Sequence, residues 1–493
     1  MIFAVVLALS VVAVGYGYVT SSADASVEDH FDDEAPAASD ERVAPPNDGI
    51  TVVATDSNSW LGERADGPRA LAELVAFGPD GDVLYYNDSH TRYWDVDPVP
   101  GTEATVEVGY ADHLDESACP DEWTPAEYGV DRETWDEYHE AHSDVGACTR
   151  NGYERVNLST GEVTAVWSQV TPGKSGTRYH DVDRINDTHL LVADIYLDGV
   201  FVVNSETDEV EWRWNASDEF STADTGGPYP EDWSHINDVE LLEDDRVMVS
   251  SRNHDRVLFL DLTAPPEDAL LDDWTLGEED EYDVLYEQHN PDYVPESEGG
   301  PAVVVGDSEN NRVLEYQRTE DGEWEQSWLW RDARMQWPRD ADRLPNGNTL
   351  VTDSNGNRVF EVDEQGEVVW SIDVAFPYES ERLPTGNGTS WNGTGGDESA
   401  TGPSARMTGL DSRTPQGAEQ VWIGLKELVP GKYLNGLMYV TPTWMGFSQT
   451  FAAVAGALAA ILWLLAELLW AVVPRIRSSR RSGDIEETPV EDD

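Results

Sequence analysis

Three histidines stand at the same place in a repeated motif, and they are the residues best suited to chemistry. His180 lies in Tyr-His-Asp-Val-Asp, His235 in Ser-His-Ile-Asn-Asp and His289 in Gln-His-Asn-Pro-Asp, while a fourth copy carries Trp337 at this place. The last aspartates of the four copies are separated by 55, 54 and 48 residues, a period typical of the blades of a β-propeller. Because the inner strands of all blades face one axis, the histidines are predicted to meet in one pocket.

The segments between these motifs have the pattern of four-stranded blades. The clearest unit, 342–370, reads strand, Asn-Gly turn, strand, turn, strand, turn and strand. Its elements recur elsewhere, and the related segments are 190–214, 246–274, 302–330 and, more loosely, 50–86, 78–108 and 154–169. The sequence therefore predicts an all-β, six-bladed β-propeller. Five or seven blades are alternatives, because ring closure can use a strand from either end.

The repeated aspartates are predicted to be structural. Asp340 is present in the copy that has Trp337 in place of histidine, so the aspartate follows the repeat and not the chemistry. In a regular strand, positions three apart also point to opposite faces. We expect Asp183, Asp238, Asp292 and Asp340 to cap turns or to accept hydrogen bonds from backbone amides.

An arginine joins the histidines in the motif Ser-Ser-Arg, which ends at Arg252 in the strand or turn that follows His235. A guanidinium group offers a planar fork of donors to an oxyanion, and a neutral imidazole serves as a nucleophile or a proton shuttle. The combination predicts an anion site. Packing is the alternative interpretation of the histidines, since Trp337 occupies the same repeat position.

The composition is strongly acidic, with 98 Asp and Glu against 30 Lys and Arg and a net charge of −68. Such self-repulsion opposes folding at ordinary ionic strength and is screened in molar salt, so a salt-loving source is the simplest explanation. Nucleic-acid binding is disfavoured, because no basic face is available to neutralise phosphates.

Apolar segments at both ends predict membrane attachment. The first, within 1–25, precedes a small-x-small pattern and reads either as a cleaved signal peptide or as an uncleaved anchor. The second, 451–473, is long enough to span a bilayer and is followed by four arginines. By the positive-inside rule, the tail 474–493 is cytoplasmic and the propeller is extracellular.

The rest of the chain divides by composition. We predict an acidic linker at 26–48, the propeller at 49–375, a flexible spacer at 376–417 and a juxtamembrane segment at 418–450.

Cys119 and Cys148 flank an acidic insert at 119–148 and are predicted to form a disulfide outside the cell, worth about 3 kcal/mol in the chain-entropy model. Six Asn-x-Ser/Thr sequons weakly support a glycosylated surface protein. They begin at Asn87, Asn157, Asn186, Asn215, Asn387 and Asn392.

The spaced pair His-Ile-Asn (235–237) and Ser-Ser-Arg (250–252), with Gln-His one blade later and Tyr-His-Asp one blade earlier, resembles the bacterial arylsulfate sulfotransferases. The resemblance covers about 177–370. It implies a six-bladed propeller that moves a sulfuryl group from a phenolic sulfate ester to a phenol through a sulfohistidine. The implied reaction needs no cofactor, metal or PAPS.

Position by position, the resemblance implies that His289 is the nucleophile. His235, Arg252 and His180 match groups that bind the sulfate, stabilise developing charge or transfer a proton. The chain departs from the family in having no clear N-terminal β-domain and in carrying the disulfide insert and the C-terminal anchor. These differences bear on the acceptor and on dimerisation more than on the sulfate site.

The partners expected from this reading are a small aryl sulfate donor, a phenolic acceptor and the lipid bilayer. The sequence does not fix the oligomeric state. The rival hypothesis is a non-catalytic cell-surface propeller that binds a glycan, a sulfated polymer or a protein partner through the same face.

Overall fold

Six antiparallel sheets arranged around one axis form a β-propeller, which confirms the predicted fold and blade count. The computed structural model describes residues 2–20, 39–56, 72–142, 146–174, 176–242, 244–384 and 401–482. The strands are β1 (Ser39–Arg42), β2 (Gly49–Thr55), β3 (Leu74–Phe77), β4 (Asp82–Asn87), β5 (Arg92–Pro98), β6 (Thr105–Asp115), β7 (Ala147–Asn157), β8 (Glu162–Pro172), β9 (Tyr179–Arg184), β10 (His189–Asp194), β11 (Gly199–Asn204), β12 (Glu209–Asn215), β13 (Ile236–Leu241), β14 (Arg246–Ser251), β15 (Arg256–Asp261), β16 (His289–Val294), β17 (Ala302–Asp307), β18 (Arg312–Arg318), β19 (Trp324–Trp330), β20 (Pro338–Arg343), β21 (Thr349–Asp353), β22 (Arg358–Val362), β23 (Val368–Ile372) and β24 (Pro377–Pro384).

The ring is closed by β24, the last strand among the described residues. The five other blades start at their innermost strands, which are β5, β9, β13, β16 and β20. In the sixth blade, β24 is innermost and pairs antiparallel with β2, while β3, β4 and β1 complete the sheet outward. Strands from both ends of the propeller sequence therefore share one sheet, so a single blade joins the two ends and closes the ring.

This closure corrects two predicted boundaries. β24 lies in the segment that was predicted to be a flexible spacer, and β1 lies in the predicted linker. The sequence misled because β24 is rich in charged residues and β1 is short and polar, so neither has the apolar pattern of a strand. Residues 26–38 of the linker and 385–400 of the spacer lie outside the described residues, as do the sequons at Asn387 and Asn392.

Two layers of acidic side chains line the axis. Each innermost strand contributes two residues at positions i and i+2, which share one face of a strand. The pairs are Asp95 and Asp97, Asp181 and Asp183, Asp238 and Glu240, Asn290 and Asp292, Asp340 and Asp342, and Glu379 and Glu381. We call these twelve residues the axial rings; they surround a narrow polar cavity of about 40 Å³.

The axial rings hold neighbouring blades together. Asp340 accepts a hydrogen bond from the amide of Ser380 at 3.0 Å, and Glu379 accepts one from the amide of Val96 at 2.8 Å across the ring closure. Equivalent bonds span the other four blade interfaces: Asp95 to Val182, Asp181 to Val239, Asp183 to Leu241, Glu240 to Tyr293 and Asp292 to Arg343. The predicted structural role is thus confirmed for Asp183, Asp292 and Asp340.

The insert between β6 and β7 is folded and crosslinked. A disulfide joins Cys119 and Cys148, as predicted, and the insert contains α2 (Arg132–His142). Trp135 and Tyr138 of α2 pack against Tyr196 of the next blade. After the propeller, α3 (Ala405–Thr408), α4 (Ala418–Lys426) and α5 (Gly431–Tyr439) follow.

The two chain ends form a separate helical unit, in which α1 (Ile2–Thr20) packs along α6 (Phe447–Ser482). Both helices are long and apolar enough to cross a membrane, over Ile2–Val19 and Phe447–Trp470. They approach closely where the helices carry glycine: a Cβ on Gly456 would lie 2.9 Å from the Ser10 Cβ. Small residues at such contacts are typical of helix pairs in membranes.

We predict that the axial rings make the propeller less stable as the pH rises from 5 to 7. Burial and neighbouring carboxylates raise the pKa of Asp342 and Glu379 well above their ordinary values, and burial raises that of Asp340 to about 7. Because the folded state keeps these protons over a pH range in which the unfolded chain has already released them, the free energy of unfolding falls through that range. Chemical unfolding at each pH should show this slope, and Asp342→Asn should reduce it. The exposed Asp208→Asn should keep it; an equal slope in all three proteins would contradict the prediction.

Candidate active site

A β-bulge in each innermost strand positions the candidate site. A register shift lies within two residues of the repeat position of the histidines in each of the six blades. A bulge changes the direction in which side chains point. Residues three apart face opposite sides of a regular strand, but a bulge between them removes this alternation. The residues directly before the first member of each axial pair are Trp94, His180, Asn237, His289, Arg339 and Tyr378, and His235 and Trp337 stand two residues before Asn237 and Arg339.

Tyr378, from the closing strand β24, lies among the histidines. Its hydroxyl is 3.1 Å from Nδ1 of His180, and its ring centroid lies 5.6 Å from that of His180 and 6.3 Å from that of His289. Trp94 stacks on His180 with a centroid distance of 4.2 Å. Nε2 of His180 is buried and has no hydrogen-bond partner among the described residues, so it is the ring nitrogen that remains for a ligand.

His235 and Arg252 form a triad with Asp232. Nδ1 of His235 is in a short contact with Asp232, and Nε2 of His235 lies 3.0 Å from Nη1 of Arg252. Since the guanidinium group can only donate, Nε2 accepts and the proton of the neutral ring is on Nδ1. The ring of His235 packs edge to face with that of His180, with 5.4 Å between the ring centroids. This contact joins the triad to the other histidines.

His289 is held by Ser308 of the next strand in its blade. Its Nδ1 lies 2.9 Å from Oγ of Ser308, and that hydroxyl donates to the carbonyl of Pro338 at 2.7 Å. With its hydrogen used in this way, Ser308 accepts from Nδ1, which favours the tautomer with a lone pair on Nε2. Trp337 packs edge to face on His289 at 5.8 Å.

The environment keeps all three imidazoles neutral at neutral pH. Burial and nearby cations lower the pKa of His289 well below 6.5, with Arg339 and Arg252 as the main charges, and a hydrogen bond with the Glu287 backbone opposes this. Burial and His235 do the same for the pKa of His180. Burial and Arg252 lower the pKa of His235 to about 4, although Asp232 opposes them.

Three further arginines surround the pocket. The guanidinium carbon of Arg339 lies 4.4 Å from the ring centroids of both Trp337 and Tyr378, and that of Arg178 lies 5.3 Å from the centroid of Trp94. Arg92 is buried beside them. The site is therefore cationic, in contrast to the axial rings and to the chain as a whole.

The segment that was predicted to be juxtamembrane packs through α5 on the loops that carry the site. Asn435 of α5 is 1% exposed and donates to the carbonyl of Ser308 at 3.3 Å, while Lys432 lies 2.6 Å from Glu287. At the end of α5, the ring of Tyr439 lies 6.1 Å from Trp337 and 5.1 Å from Phe376. These contacts close one side of the pocket, and His289 is only 1% exposed.

All four residues singled out from the sequence, namely His180, His235, Arg252 and His289, thus come together. Sequence analysis missed Tyr378, Trp94, Asp232 and Ser308 as well as the three further arginines. One signal was available: Trp-Asp-Val-Asp at 94–97 repeats His-Asp-Val-Asp at 180–183. Arg339 also stands in the fourth motif copy, two residues after Trp337. Within the described part of the chain, no group of three or more His, Cys, Asp or Glu has an arrangement suited to a metal ion.

A family model described as arylsulfotransferase (ASST) matches residues 175–375 of this chain. The match includes His180, His235, Arg252 and His289 and supports an arylsulfotransferase-like function. No curated protein matches the sequence.

Among solved structures, a putative 6-phosphogluconolactonase from Bacteroides uniformis is 12% identical with a TM-score of 0.41, over 68% of this chain and 99% of its own. The periplasmic gluconolactonase of Pseudomonas aeruginosa is also 12% identical, with a TM-score of 0.39 over 68% of this chain and 99% of its own. A similarity this low says nothing about activity.

We predict that His289 stays neutral at pH 6 and carries its proton on Nδ1. Nitrogen NMR of histidine-labelled protein should show this, and the resonance is assigned by its loss in His289→Asn. Ser308→Ala should shift the balance between the two tautomers because it removes the acceptor for Nδ1. A His289 resonance with both nitrogens protonated at pH 6 would refute the prediction.

Proposed function

We propose that the protein is an aryl-sulfate sulfotransferase that uses His289 as its nucleophile. The observation that carries the proposal is the convergence of His289, whose Nδ1 is bonded to a serine hydroxyl, with His180, whose buried Nε2 is unpaired among the described residues, and with Arg252. The family-model match over 175–375 agrees with it.

In the first half-reaction, Nε2 of His289 attacks the sulfur of an aryl sulfate. An N–S bond forms, the S–O bond to the aryl group breaks and a phenolate leaves. Arg252 stabilises the negative charge on the sulfuryl oxygens. If the Tyr378 hydroxyl donates to Nδ1 of His180, then Nε2 of His180 bears a hydrogen that it donates to the same oxygens.

His235 is suited to move the proton that this reaction requires. In the free protein Arg252 is the main charge that depresses its pKa. A bound sulfate offsets that charge, while Asp232 continues to favour the imidazolium ion, so the complex takes up a proton that His235 gives to the leaving phenolate. In the second half-reaction, His235 takes the proton of the acceptor phenol, whose oxygen attacks sulfur and releases His289.

We propose further that α1 and α6 both span the membrane, which makes α1 an uncleaved anchor and not a signal peptide. The close packing of α1 on α6 supports this choice between the two alternatives. The arginines after residue 474 would then face the cytoplasm, and the propeller between the two helices would lie outside.

The first test is release of p-nitrophenol from p-nitrophenyl sulfate by the purified protein in molar NaCl, with and without added phenol. We expect phenol to stimulate release, and His289→Asn to lower kcat by roughly 10³-fold or more because the covalent route is lost. The partly exposed His189→Asn should retain activity. Failure of release over many acceptors, with folded protein, would favour a binding propeller.

The pH profile tests the neutral nucleophile. Because His289 must be unprotonated to attack, and its pKa lies well below 6.5, kcat/KM should not fall as the pH is lowered from 8 to 6. Arg252→Gln removes a charge that lowers the pKa of both His289 and His235. The loss of activity on the acid side of the profile should therefore begin at a higher pH in this variant.

The matched control is Arg132→Gln, at an exposed arginine of α2, which should leave the profile unchanged. An acid limb at pH 6.5 or above in the unaltered protein would contradict the neutral-nucleophile mechanism.

A further inference from the structure

Two of the arginines, Arg92 of β5 and Arg339 of β20, share a single carboxylate. Nε of Arg92 lies 3.0 Å from Oδ1 of Asp56, and Nη1 of Arg339 lies 3.3 Å from Oδ2 of the same residue. The three residues come from different blades and meet only because the ring is closed. One negative charge thus serves two positive ones, and Asp56 cannot saturate both guanidinium groups.

Both arginines are deeply buried yet keep unused donors. Arg92 is 3% exposed and Arg339 is 6% exposed. Over the described residues, Nε of Arg339 makes no hydrogen bond, and Nε of Arg92 meets Asp56 as an ion pair without hydrogen-bond geometry. Nη1 of Arg92 donates to the carbonyl of Thr91, and Nη1 of Arg339 donates to Asp56. Burying a cationic donor without an acceptor is costly, which indicates that an acceptor binds there.

The aromatic residues around Arg339 indicate the kind of molecule that carries this acceptor. The guanidinium carbon of Arg339 lies 4.4 Å from the centroid of Trp337 and 5.0 Å from that of Phe376, and Tyr439 of α5 packs on both rings. Planar guanidinium groups among aromatic walls suit an oxyanion carried by an aromatic ring. An inorganic ion alone would leave these apolar walls unused.

This arginine pair is distinct from the sulfuryl site but adjoins it. Arg252 is held by His235, whereas Arg339 packs on Tyr378 and Trp337. Tyr378 contacts His180 and His289 on one hand and Arg339 on the other, so substituents of a single aromatic ring can reach both places.

We propose that Arg92 and Arg339 form a second oxyanion subsite, which binds a carboxylate or similar group on the aromatic ring of the substrate. The inference rests on the proposed function in assigning the ligand to a sulfotransferase substrate. It narrows the substrate class from phenols in general to phenols, or their sulfate esters, that carry a second negative group.

The test compares two unreactive ligands by isothermal titration calorimetry at fixed ionic strength. One is 4-sulfobenzoate, which carries a sulfonate and a carboxylate, and the other is benzenesulfonate, which lacks the carboxylate. In the unaltered protein the dianion should bind about tenfold more tightly, since a charge-assisted hydrogen bond is worth roughly that factor. Equal affinities would overturn the proposal.

Variants identify the residues and separate this proposal from the catalytic one. In Arg92→Gln the ratio of the two dissociation constants should fall towards one, whereas Arg92→Lys should keep part of it and the exposed Arg132→Gln all of it. The thermal unfolding of each variant is checked first, and the result with the unaltered protein holds even if Arg92→Gln does not fold.

His289→Asn should keep the full ratio, because binding needs no nucleophile. A lost ratio with intact sulfuryl transfer would refute the subsite alone, and a retained ratio without any transfer would refute the catalytic assignment alone.

Discussion

The hydrogen bonds between axial carboxylates and the amides of the neighbouring inner strand are the interaction on which the rest of the structure depends. The inner strand of each blade is the edge of its sheet, where unpaired amides need acceptors. The carboxylates supply these acceptors at all six blade interfaces, including the closing one. They fix each inner strand relative to the next, so the side chains beside the bulges of different blades come together at one site.

This arrangement also sets the electrostatics of the candidate site. Acidic rings line the axis, whereas the neighbouring site holds arginines beside its histidines. Because those arginines and burial act together, the histidines between them stay neutral. The same cations that attract an anion therefore keep the nucleophile in its reactive form, and a strongly acidic protein can still present an anion site.

Much of the fold and the centre of the site could be predicted from the sequence, because both follow the repeat. The histidine position, the aspartate three residues later and the Asn-Gly turns are local signals. The remainder depends on contacts between distant parts of the chain. Asp56 and Arg339 are 283 residues apart, and nothing local marks them as partners. Tyr378 could not be recognised as a site residue because the charged sequence of β24 does not read as a strand. The contact of α5 with the site could not be predicted because a moderately apolar segment next to a predicted membrane span also suits a membrane surface.

Closure of the ring by β24 has a consequence for the order in which the protein is made. β2, β3 and β4 leave the ribosome early, but the inner edge of their sheet has no partner until residues 377–384 follow. An exposed strand edge is a template for wrong pairing, so the nascent chain must protect it while five blades are synthesised. Tyr378 arrives with the same strand. A prematurely terminated chain would therefore lack both the seal of the propeller and the residue that joins its histidines.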